Sequence, residues 1–428
     1  MNLYPHQKET LERSEGLNRV AYYWDMGLGK TFIGSEKLIQ LQTKRNIVVC
    51  QKTKINDWMD HFRINYPGVG LFDLTKKALL DCFIYWEDAS PRMMIGFINY
   101  DLIFRRGDLK KLSDFTLLLD ESSLIQNHTA KRTKFILNLK PANVILLSGT
   151  PVSGKYENLW SQIHLLGWDI SEKLYQRQYV NWEKVEEGGL IFNRVNKQNP
   201  YKHVDRLKEK LREHGAFFLK TEECFQLPEQ TFTEIKIPAP KEYRQFQKHK
   251  IITINDETLV GDHVFKEILY SRQICTVYNP AKLEAFKDLV ESTKDRLIVF
   301  YSFNRELEKL KQILTDLERP ISEVNGSVKD LTAYEHESDS VTLIQYQAGA
   351  MGLNLQKANK IIYFSLTDKS ELFEQSKKRI HRIGQKKPCF YYLMICPRTV
   401  EEWMLETLEE RKDFTDELFK DKERKHGS

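Results

Sequence analysis

The chain alternates short, wholly apolar segments with longer stretches in which apolar residues recur at the spacing of a helix face. Strands that are apolar on both faces and are separated by amphipathic helices are typical of a parallel sheet covered on both sides. The first half is therefore predicted to be an α/β domain. Its apolar segments are residues 20–24, 46–50, 93–98, 116–119 and 143–147.

The alternation lapses between about residues 158 and 227, where the pattern is polar and helical, and it resumes in the second half. Buried strands are predicted there at residues 297–301, 340–344 and 360–364. The end of the chain, from residue 399, reads as an amphipathic helix. The predicted organisation is a first lobe at 1–151, a helical region at 152–230, a second lobe at 231–398, and a C-terminal helix and tail at 399–428.

Composition narrows the class of protein. The chain has 428 residues, of which 41% are apolar, so two cores can form. No apolar run approaches the length that crosses a bilayer, and the first residues lack a signal peptide's apolar centre. The six cysteines include no C-x-x-C pair, which favours a reducing cytosol and indicates neither zinc nor a disulfide framework. The net charge of +5 permits nucleic-acid binding without requiring it.

The most informative segment runs from Asp25 to Thr31 and reads DMGLGKT. It follows a predicted strand and opens a predicted helix, which is the context of a phosphate-binding loop. Its glycines let backbone N–H groups face phosphate oxygens, Lys30 would reach the β- and γ-phosphates, and Thr31 would hold Mg²⁺. The strict pattern has glycine where Trp24 stands, and a purely structural glycine-lysine turn is the alternative.

Asp120 and Glu121 follow the buried segment 116–119. Asp120 would act on Mg²⁺ through its water shell, and Glu121 would polarise the attacking water. An exposed acidic pair at a strand end is the alternative. The next strand ends in the small-residue turn 148–151, which could transmit the nucleotide state or simply end the strand.

In the second lobe, Arg379 and Arg382 are three residues apart, so on a helix they would project from one face. Planar guanidinium groups suit the charge on a γ-phosphate during phosphoryl transfer. A basic helix lying in solvent is the alternative.

In their order along the chain, these strings resemble the motifs of helicase superfamily two, and specifically those of the Swi/Snf-related ATPases. Segment 25–31 is similar to motif I, and segment 120–123 is similar to motif II. Segment 348–355 resembles motif V, and segment 375–385, which ends HRIGQ, is similar to motif VI. Upstream, Gln7 matches the glutamine that reads adenine in this family, and Asp25 stands where motif I has glutamate.

The resemblance implies an α/β fold of two RecA-like lobes with parallel sheets, a helical protrusion between them and a C-terminal bracing helix. It implies ATP and Mg²⁺ in a cleft, with Lys30, Thr31, Asp120 and Glu121 facing arginine fingers Arg379 and Arg382. Thr31 and Asp120 would serve the metal. The residues that the resemblance assigns to nucleotide binding are Gln7, Asp25, Gly27, Leu28, Gly29, Lys30, Thr31, Gln375 and Gly352.

The same resemblance implies that each ATP cycle moves the protein along double-stranded or branched DNA. A protein that moves over any sequence should hold phosphates rather than bases. We expect a monomeric minimal motor of bacterial or viral origin, in the cytosol or on the nucleoid, with an unidentified recruiting protein. The DNA contacts placed by likeness to motifs Ia, Ib, IV and V are Lys52, Thr53, Asn99, Ser302, Gln347 and Asn354.

Two positions depart from the family pattern. Ser123 stands where motif II usually has histidine, and residues 345–349 replace the usual run of motif V. Three functions are therefore compared: a DNA-stimulated ATPase that translocates on duplex DNA, a strand-separating helicase, and a nucleotide-gated DNA-binding protein with weak ATPase activity. The first is preferred because the resemblance is to the Swi/Snf-related branch, which implies movement along duplex DNA usually without parting the strands.

Overall fold

The computed structural model describes residues 2–86, 92–187, 190–349 and 353–419. The chain divides into two compact units. Unit 1 comprises the residues up to Cys224 together with those from Asp413 onward, and unit 2 runs from Phe225 to Lys412. None of the helices in the described part of the chain combines the length and apolarity needed to span a bilayer.

Unit 1 is built on a seven-stranded sheet whose strand pairs are all parallel. Its strands are β1 (Arg19–Trp24), β2 (Arg45–Cys50), β3 (Gly70–Asp73), β4 (Met94–Asn99), β5 (Phe115–Asp120), β6 (Asn143–Ser148) and β9 (Ala216–Leu219), with a separate hairpin of β7 (Trp182–Glu187) and β8 (Leu190–Val195). Its helices are α1 (Pro5–Arg13), α2 (Lys30–Gln40), α3 (Ile55–Asn65), α4 (Lys77–Tyr85), α5 (Tyr100–Ile103), α6 (Lys131–Leu137), α7 (Trp160–Leu165), α8 (Glu172–Tyr179), α9 (Val204–Glu213) and α10 (Thr221–Cys224). The strand order is β3-β4-β2-β5-β6-β1-β9.

The inner strands of this sheet are buried on both faces, as their continuous apolar runs predict. Helix α2 lies close against the sheet at Gly34, where an added Cβ would come within 2.8 Å of Leu147. This close approach fixes the start of α2 relative to the strand ends.

The stretch predicted to be mostly helical, 152–230, is only partly so. It contains α7 to α10, but it also contains the β7–β8 hairpin, and its strand β9 adds to the edge of the unit 1 sheet beside β1. The hairpin exposes Trp182, Ile191 and Phe192, so its strands lack the buried alternating face by which strands are recognised.

Unit 2 is built on a second seven-stranded sheet, which is parallel except at its edge strand β15. Its strands are β10 (Gln230–Lys236), β13 (Leu297–Tyr301), β14 (Ile321–Val324), β15 (Lys329–Asp330), β16 (Val341–Gln345), β17 (Lys360–Tyr363) and β18 (Cys389–Ile395), with a hairpin of β11 (Ile251–Ile254) and β12 (Glu257–Val260). Its helices are α11 (Lys241–His249), α12 (Val264–Cys275), α13 (Pro280–Glu291), α14 (Asn304–Asp316), α15 (Thr332–His336), α16 (Tyr346–Gly349) and α17 (Ser370–Lys377), and α18 (Val400–Phe419) begins here. The order is β10-β18-β17-β13-β16-β14-β15. Separate apolar cores cover the two faces, and the predicted α/β class with two parallel-sheet lobes is confirmed.

The predicted C-terminal helix is α18. Within unit 2, its side chains Met404 and Leu408 are buried in one of the cores. Within unit 1, Phe414 packs against Tyr201, with 5.0 Å between ring centroids. Trp403, which precedes Met404 on this helix, is 53% exposed.

Candidate functional site

Three neighbouring strand ends form the candidate site in unit 1. Strands β5, β6 and β1 are adjacent and parallel, so their carboxyl ends meet at one edge of the sheet. The register pairs Tyr23 with Ser148 and Asp120 with Leu147. Ligands of open parallel sheets bind outside this edge of the strands. The glycine-rich loop, the acidic pair and the turn after β6 are therefore brought together, as the sequence predicted.

The loop between β1 and α2 has the backbone of a phosphate cradle. Gly27 and Gly29 have φ angles of 92° and 78°, in the left-handed region that glycine adopts without strain. An added Cβ on Gly29 would overlap the side-chain nitrogen of Gln7, whereas nothing lies within 4 Å of one on Gly27. The loop therefore contacts the Gln7 side chain at Gly29, whereas the space beside Gly27 is unoccupied by protein atoms. Helix α2 starts at the next residue after Gly29, Lys30.

Gln7 is buried behind this loop, with 2% of its surface exposed. Its side-chain oxygen accepts a hydrogen bond from the Tyr4 backbone N–H at 2.8 Å, and its nitrogen donates to the Leu28 carbonyl at 3.0 Å. A ring nitrogen of His6 also lies 3.0 Å from that carbonyl. Helix α1 therefore holds the loop in place through Gln7, while the adenine-reading role assigned to Gln7 stays a prediction.

Lys30 lies along the same loop. Its ammonium group donates to the carbonyls of Trp24, at 2.8 Å, and Asp25, at 3.2 Å. The carboxylate of Asp25 accepts from the backbone N–H and the hydroxyl of Thr221, at 3.1 and 3.2 Å. Asp25 therefore joins the loop to the start of α10, a contact that its predicted nucleotide-binding role did not include. Thr31, the second residue of α2, is half-buried.

Asp120 is the buried carboxylate of the site. Its oxygen accepts a hydrogen bond from the Trp58 indole N–H at 2.8 Å. Burial raises the pKa of Asp120, and the Trp58 hydrogen bond and the charge of Lys30 oppose that rise. Glu121 has a φ of 55°, and the Ser148 hydroxyl lies 3.4 Å from its carboxylate. Residues whose backbone is held in a sparsely populated region, as that of Glu121 is, are frequent at functional sites.

These residues fit Mg²⁺. The metal prefers oxygen ligands, and Asp120 and Thr31 offer a carboxylate and a hydroxyl. A cation bound near Asp120 would favour its ionised carboxylate and would oppose the rise in pKa that burial causes. The donor chemistry therefore agrees with the metal role that the sequence predicts for these two side chains.

In unit 2, the helical placement predicted for Arg379 and Arg382 is wrong, because α17 ends at Lys377 and both arginines lie in the turns that follow. Arg379 is 2% exposed, and its carbonyl accepts from the Leu355 N–H at 3.2 Å. Burial lowers the pKa of Arg382, which nevertheless stays charged at neutral pH. Gln375 lies on α17 and donates to Glu371 at 3.2 Å. Gly352 lies outside the described residues.

The predicted DNA contacts differ in accessibility. Lys52 and Thr53 are exposed after β2, whereas Asn99, at the end of the neighbouring strand β4, is buried. In unit 2, Gln347 and Asn354 are exposed.

Ser302 is more constrained than its predicted role requires. Its hydroxyl accepts from Arg272 and from Ser365, both at 3.1 Å, and lies 3.3 Å from the Leu366 carbonyl. Ser302 and Gln347 both line a cavity of 230 Å³ that also contains Arg272. The Ser302 hydroxyl is therefore held by neighbouring residues, whereas Gln347 in the same cavity is exposed.

Comparison with known protein families assigns the chain. Residues 23–279 match the SNF2-related domain, and residues 281–384 match the helicase conserved C-terminal domain. The chain belongs to the SNF2-related family. The predicted family resemblance is thereby confirmed.

Relatives of this SNF2-related chain are distant in sequence. It is 24% identical over 430 residues to the mouse SWI/SNF-related matrix-associated actin-dependent regulator of chromatin subfamily A member 1, covering 90% of this chain but only 40% of the mouse protein. It is 23% identical to the uncharacterized ATP-dependent helicase YqhH of Bacillus subtilis, covering 95% of this chain and 78% of that protein. A solved SWI2/SNF2 ATPase core from Sulfolobus solfataricus, in complex with dsDNA, is similar over 97% of this chain and 92% of its own, with 18% identity and a TM-score of 0.45.

The sequence did not reveal Gln162 as part of the SNF2-related site. This buried side chain on α7 accepts from the hydroxyls of Ser122, at 2.7 Å, and Tyr23, at 3.1 Å, and donates to the Pro151 carbonyl at 2.6 Å. It joins the residue after Glu121 to the turn after β6, beside the position where Ser123 replaces histidine. A glutamine in a polar, helical stretch gives no sequence signal of such burial.

A second buried cluster, in unit 2, is structural. The potential ligand atoms of Cys275, Cys396 and Glu401 lie within 4.8 Å of one another. However, the carboxylate of Glu401 pairs with Lys282 at 2.6 Å and accepts from the Cys396 N–H at 2.9 Å. Burial raises the pKa of the Cys275 thiol well above its usual value, which keeps it protonated. The buried ion pair therefore joins α13 to α18, and the Cys396 thiol, which donates to the Cys275 carbonyl at 3.6 Å, joins the cluster to α12.

Proposed function

We propose that this SNF2-related protein is a DNA-stimulated ATPase that couples ATP hydrolysis to movement along double-stranded DNA. The observation that carries the proposal is the single sheet edge at which the cradle of Gly27 and Gly29, Lys30 and the buried Asp120 meet. Family membership over both matched domains supports an ATP-driven reaction, and curated relatives include proteins named as ATP-dependent helicases.

In the proposed reaction, the amides of the loop and Lys30 bind the phosphates of ATP. On binding phosphate, the ammonium group of Lys30 exchanges the Trp24 and Asp25 carbonyls for charged oxygens, which form stronger hydrogen bonds. Thr31 and Asp120 would hold Mg²⁺, which supplies positive charge to the phosphate oxygens when bound.

Glu121 is the proposed base. It would orient the attacking water and accept its proton, as a carboxylate within hydrogen-bonding reach of that water can do. Arg379 and Arg382 are proposed to supply positive charge to the transferring phosphoryl group. Gln162, which bonds both Ser122 and the Pro151 carbonyl, would fix the position of the residue after Glu121 relative to the turn after β6.

Movement along DNA requires contacts that do not depend on base sequence. Lys52 and Thr53, which are exposed beyond the carboxyl end of β2, are proposed to contact phosphates, as are Gln347 and Asn354. The affinity for DNA should then fall steeply as salt concentration rises, because phosphate binding releases counterions.

A strand-displacement experiment tests this proposal. With ATP, a translocase should displace the third strand of a triplex while leaving a forked duplex paired. Efficient unwinding of the fork would instead show that the protein is a strand-separating helicase. Binding of DNA and ATP without displacement in either substrate would favour a nucleotide-gated binding protein and contradict the motor.

A further inference from the structure

Unit 2 contains a groove whose lining residues lie outside the motif segments of the proposed ATPase. It lies between one face of α11 and the segment that follows β10, and it has a volume of about 810 Å³. That volume is within the range of pockets that bury ligands of drug or cofactor size. We call it the α11 groove.

The floor of the α11 groove is apolar. It is formed by Ile237, Pro238 and Ala239 after β10, by Tyr243 on α11, and by Pro397 after β18. Ile237 and Tyr243 are buried, and the Tyr243 hydroxyl is fixed by the Val400 N–H at 2.9 Å. The floor is therefore rigid and offers contact to apolar side chains.

The rim of the groove is cationic. Lys236, Arg244, Lys248 and Arg398 line it, and all four are exposed. Lys236 lies 3.9 Å from Glu234, but no carboxylate within the described chain forms an ion pair with the other three. Near Arg398, the carboxylate of Glu402 accepts a hydrogen bond from the backbone N–H of Arg398 at 2.8 Å. Three cationic side chains thus surround an apolar floor without a compensating partner.

We propose that the α11 groove binds an acidic peptide segment of a partner protein, with apolar side chains against the floor and carboxylates paired to the rim. Charge complementarity requires an anionic partner. A single-stranded nucleic acid is less well matched, because single strands bind such surfaces by stacking bases on exposed aromatic rings, and a duplex, which is held through its phosphates, would leave the apolar floor without a partner. Tyr243 is the aromatic residue among those that line the groove, and its ring is buried.

The test uses the full chain and measures fluorescence anisotropy of a short labelled peptide that alternates aspartate and leucine. Comparison peptides alternate lysine with leucine and aspartate with serine, and a duplex oligonucleotide is the nucleic-acid probe. The aspartate-leucine peptide should bind more tightly than both comparison peptides, and the duplex, which the proposed motor binds elsewhere, should keep its affinity when the groove rim is altered. Reversing two rim charges, R244E with K248E, should weaken its binding by about tenfold, because attraction is replaced by repulsion at two positions.

The matched control reverses Lys294 and Lys309, which are exposed elsewhere in unit 2 and form no ion pair among the described residues. This K294E/K309E variant changes the net charge equally and should alter peptide affinity by less than about twofold. Equal loss in both variants, or equal binding of the aspartate-serine peptide, would overturn the proposal. Loss of duplex binding in R244E/K248E without any peptide binding would show a nucleic-acid surface instead. Because these outcomes are read without ATP, they are independent of the proposed ATPase activity.

Discussion

The hydrogen bond between Trp58 and Asp120 gives the sharpest test of the unit 1 site. The indole N–H lies 2.8 Å from the carboxylate, and Trp58 is almost fully buried. The substitution W58F keeps an aromatic ring beside Phe62 but removes the donor. A hydrogen bond to a charged group contributes about 1.5–3 kcal/mol, so this is the expected loss when Asp120 is ionised.

The loss should depend on pH. Burial already raises the pKa of Asp120, and removing the Trp58 donor should raise it further. A carboxyl group whose folded pKa is raised contributes its full stability below its unfolded pKa, and that contribution is lost as pH rises through the folded pKa. The difference between W58F and the natural protein should therefore be small in acid and should grow towards neutral pH. The packing cost of the smaller ring does not depend on pH.

The assay is chemical denaturation at a series of pH values in the absence of nucleotide. W58F is also introduced into the D120N variant as a matched control, because the asparagine side chain at this position cannot ionise. In D120N, the W58F substitution should cost only a pH-independent energy, from packing and from the neutral hydrogen bond that the amide oxygen of Asn can accept. A loss that is the same at every pH, or the same in both backgrounds, would refute the claim that Trp58 stabilises an ionised Asp120.

Three further predictions concern other parts of the chain. G29A should weaken binding of a fluorescent ATP analogue by about tenfold or more, since an added Cβ overlaps the protein behind the loop, whereas G16A, with a similar φ but open space, should leave it unchanged. K282M should lower the free energy of unfolding by about 3–5 kcal/mol by leaving Glu401 charged and unpaired, and K282M/E401L should recover most of that loss in denaturation experiments. R382A should reduce ATP turnover by more than about tenfold in steady-state assays while ATP affinity, measured by calorimetry, changes little; a parallel loss of both would contradict its proposed role.

The phosphate-binding loop could be predicted because its information is local. The sequence alone predicts that a strand ends at the loop, that glycines let its backbone turn, and that a helix follows it. In the structure the helix begins two residues before the predicted segment, at Lys30, and both glycines have positive φ angles. The acidic pair was placed correctly for a related reason. An apolar run that ends in Asp120 predicts a buried strand, and parallel strands bring their carboxyl ends to one edge.

The contacts that complete the site are not local. Trp58 and Asp120 are separated by 62 positions, and Gln162 and Ser122 by 40, so no periodic pattern connects them. The end of α17 was missed for a similar reason. The Arg379 carbonyl accepts from the Leu355 N–H, and the Ile383 carbonyl accepts from Gln356 at 2.6 Å, so tertiary partners occupy the groups that a continuing helix would use.

The proposed function depends on whether duplex DNA controls chemistry at the unit 1 sheet edge. The most direct measurement is steady-state ATP turnover by the full chain, with and without a long duplex, in parallel for the natural protein and E121Q. We expect the duplex to stimulate turnover by about tenfold or more and E121Q to abolish the stimulated rate while ATP and DNA still bind. An unchanged rate on adding duplex, or E121Q turnover within about tenfold of the natural protein, would contradict the proposed function.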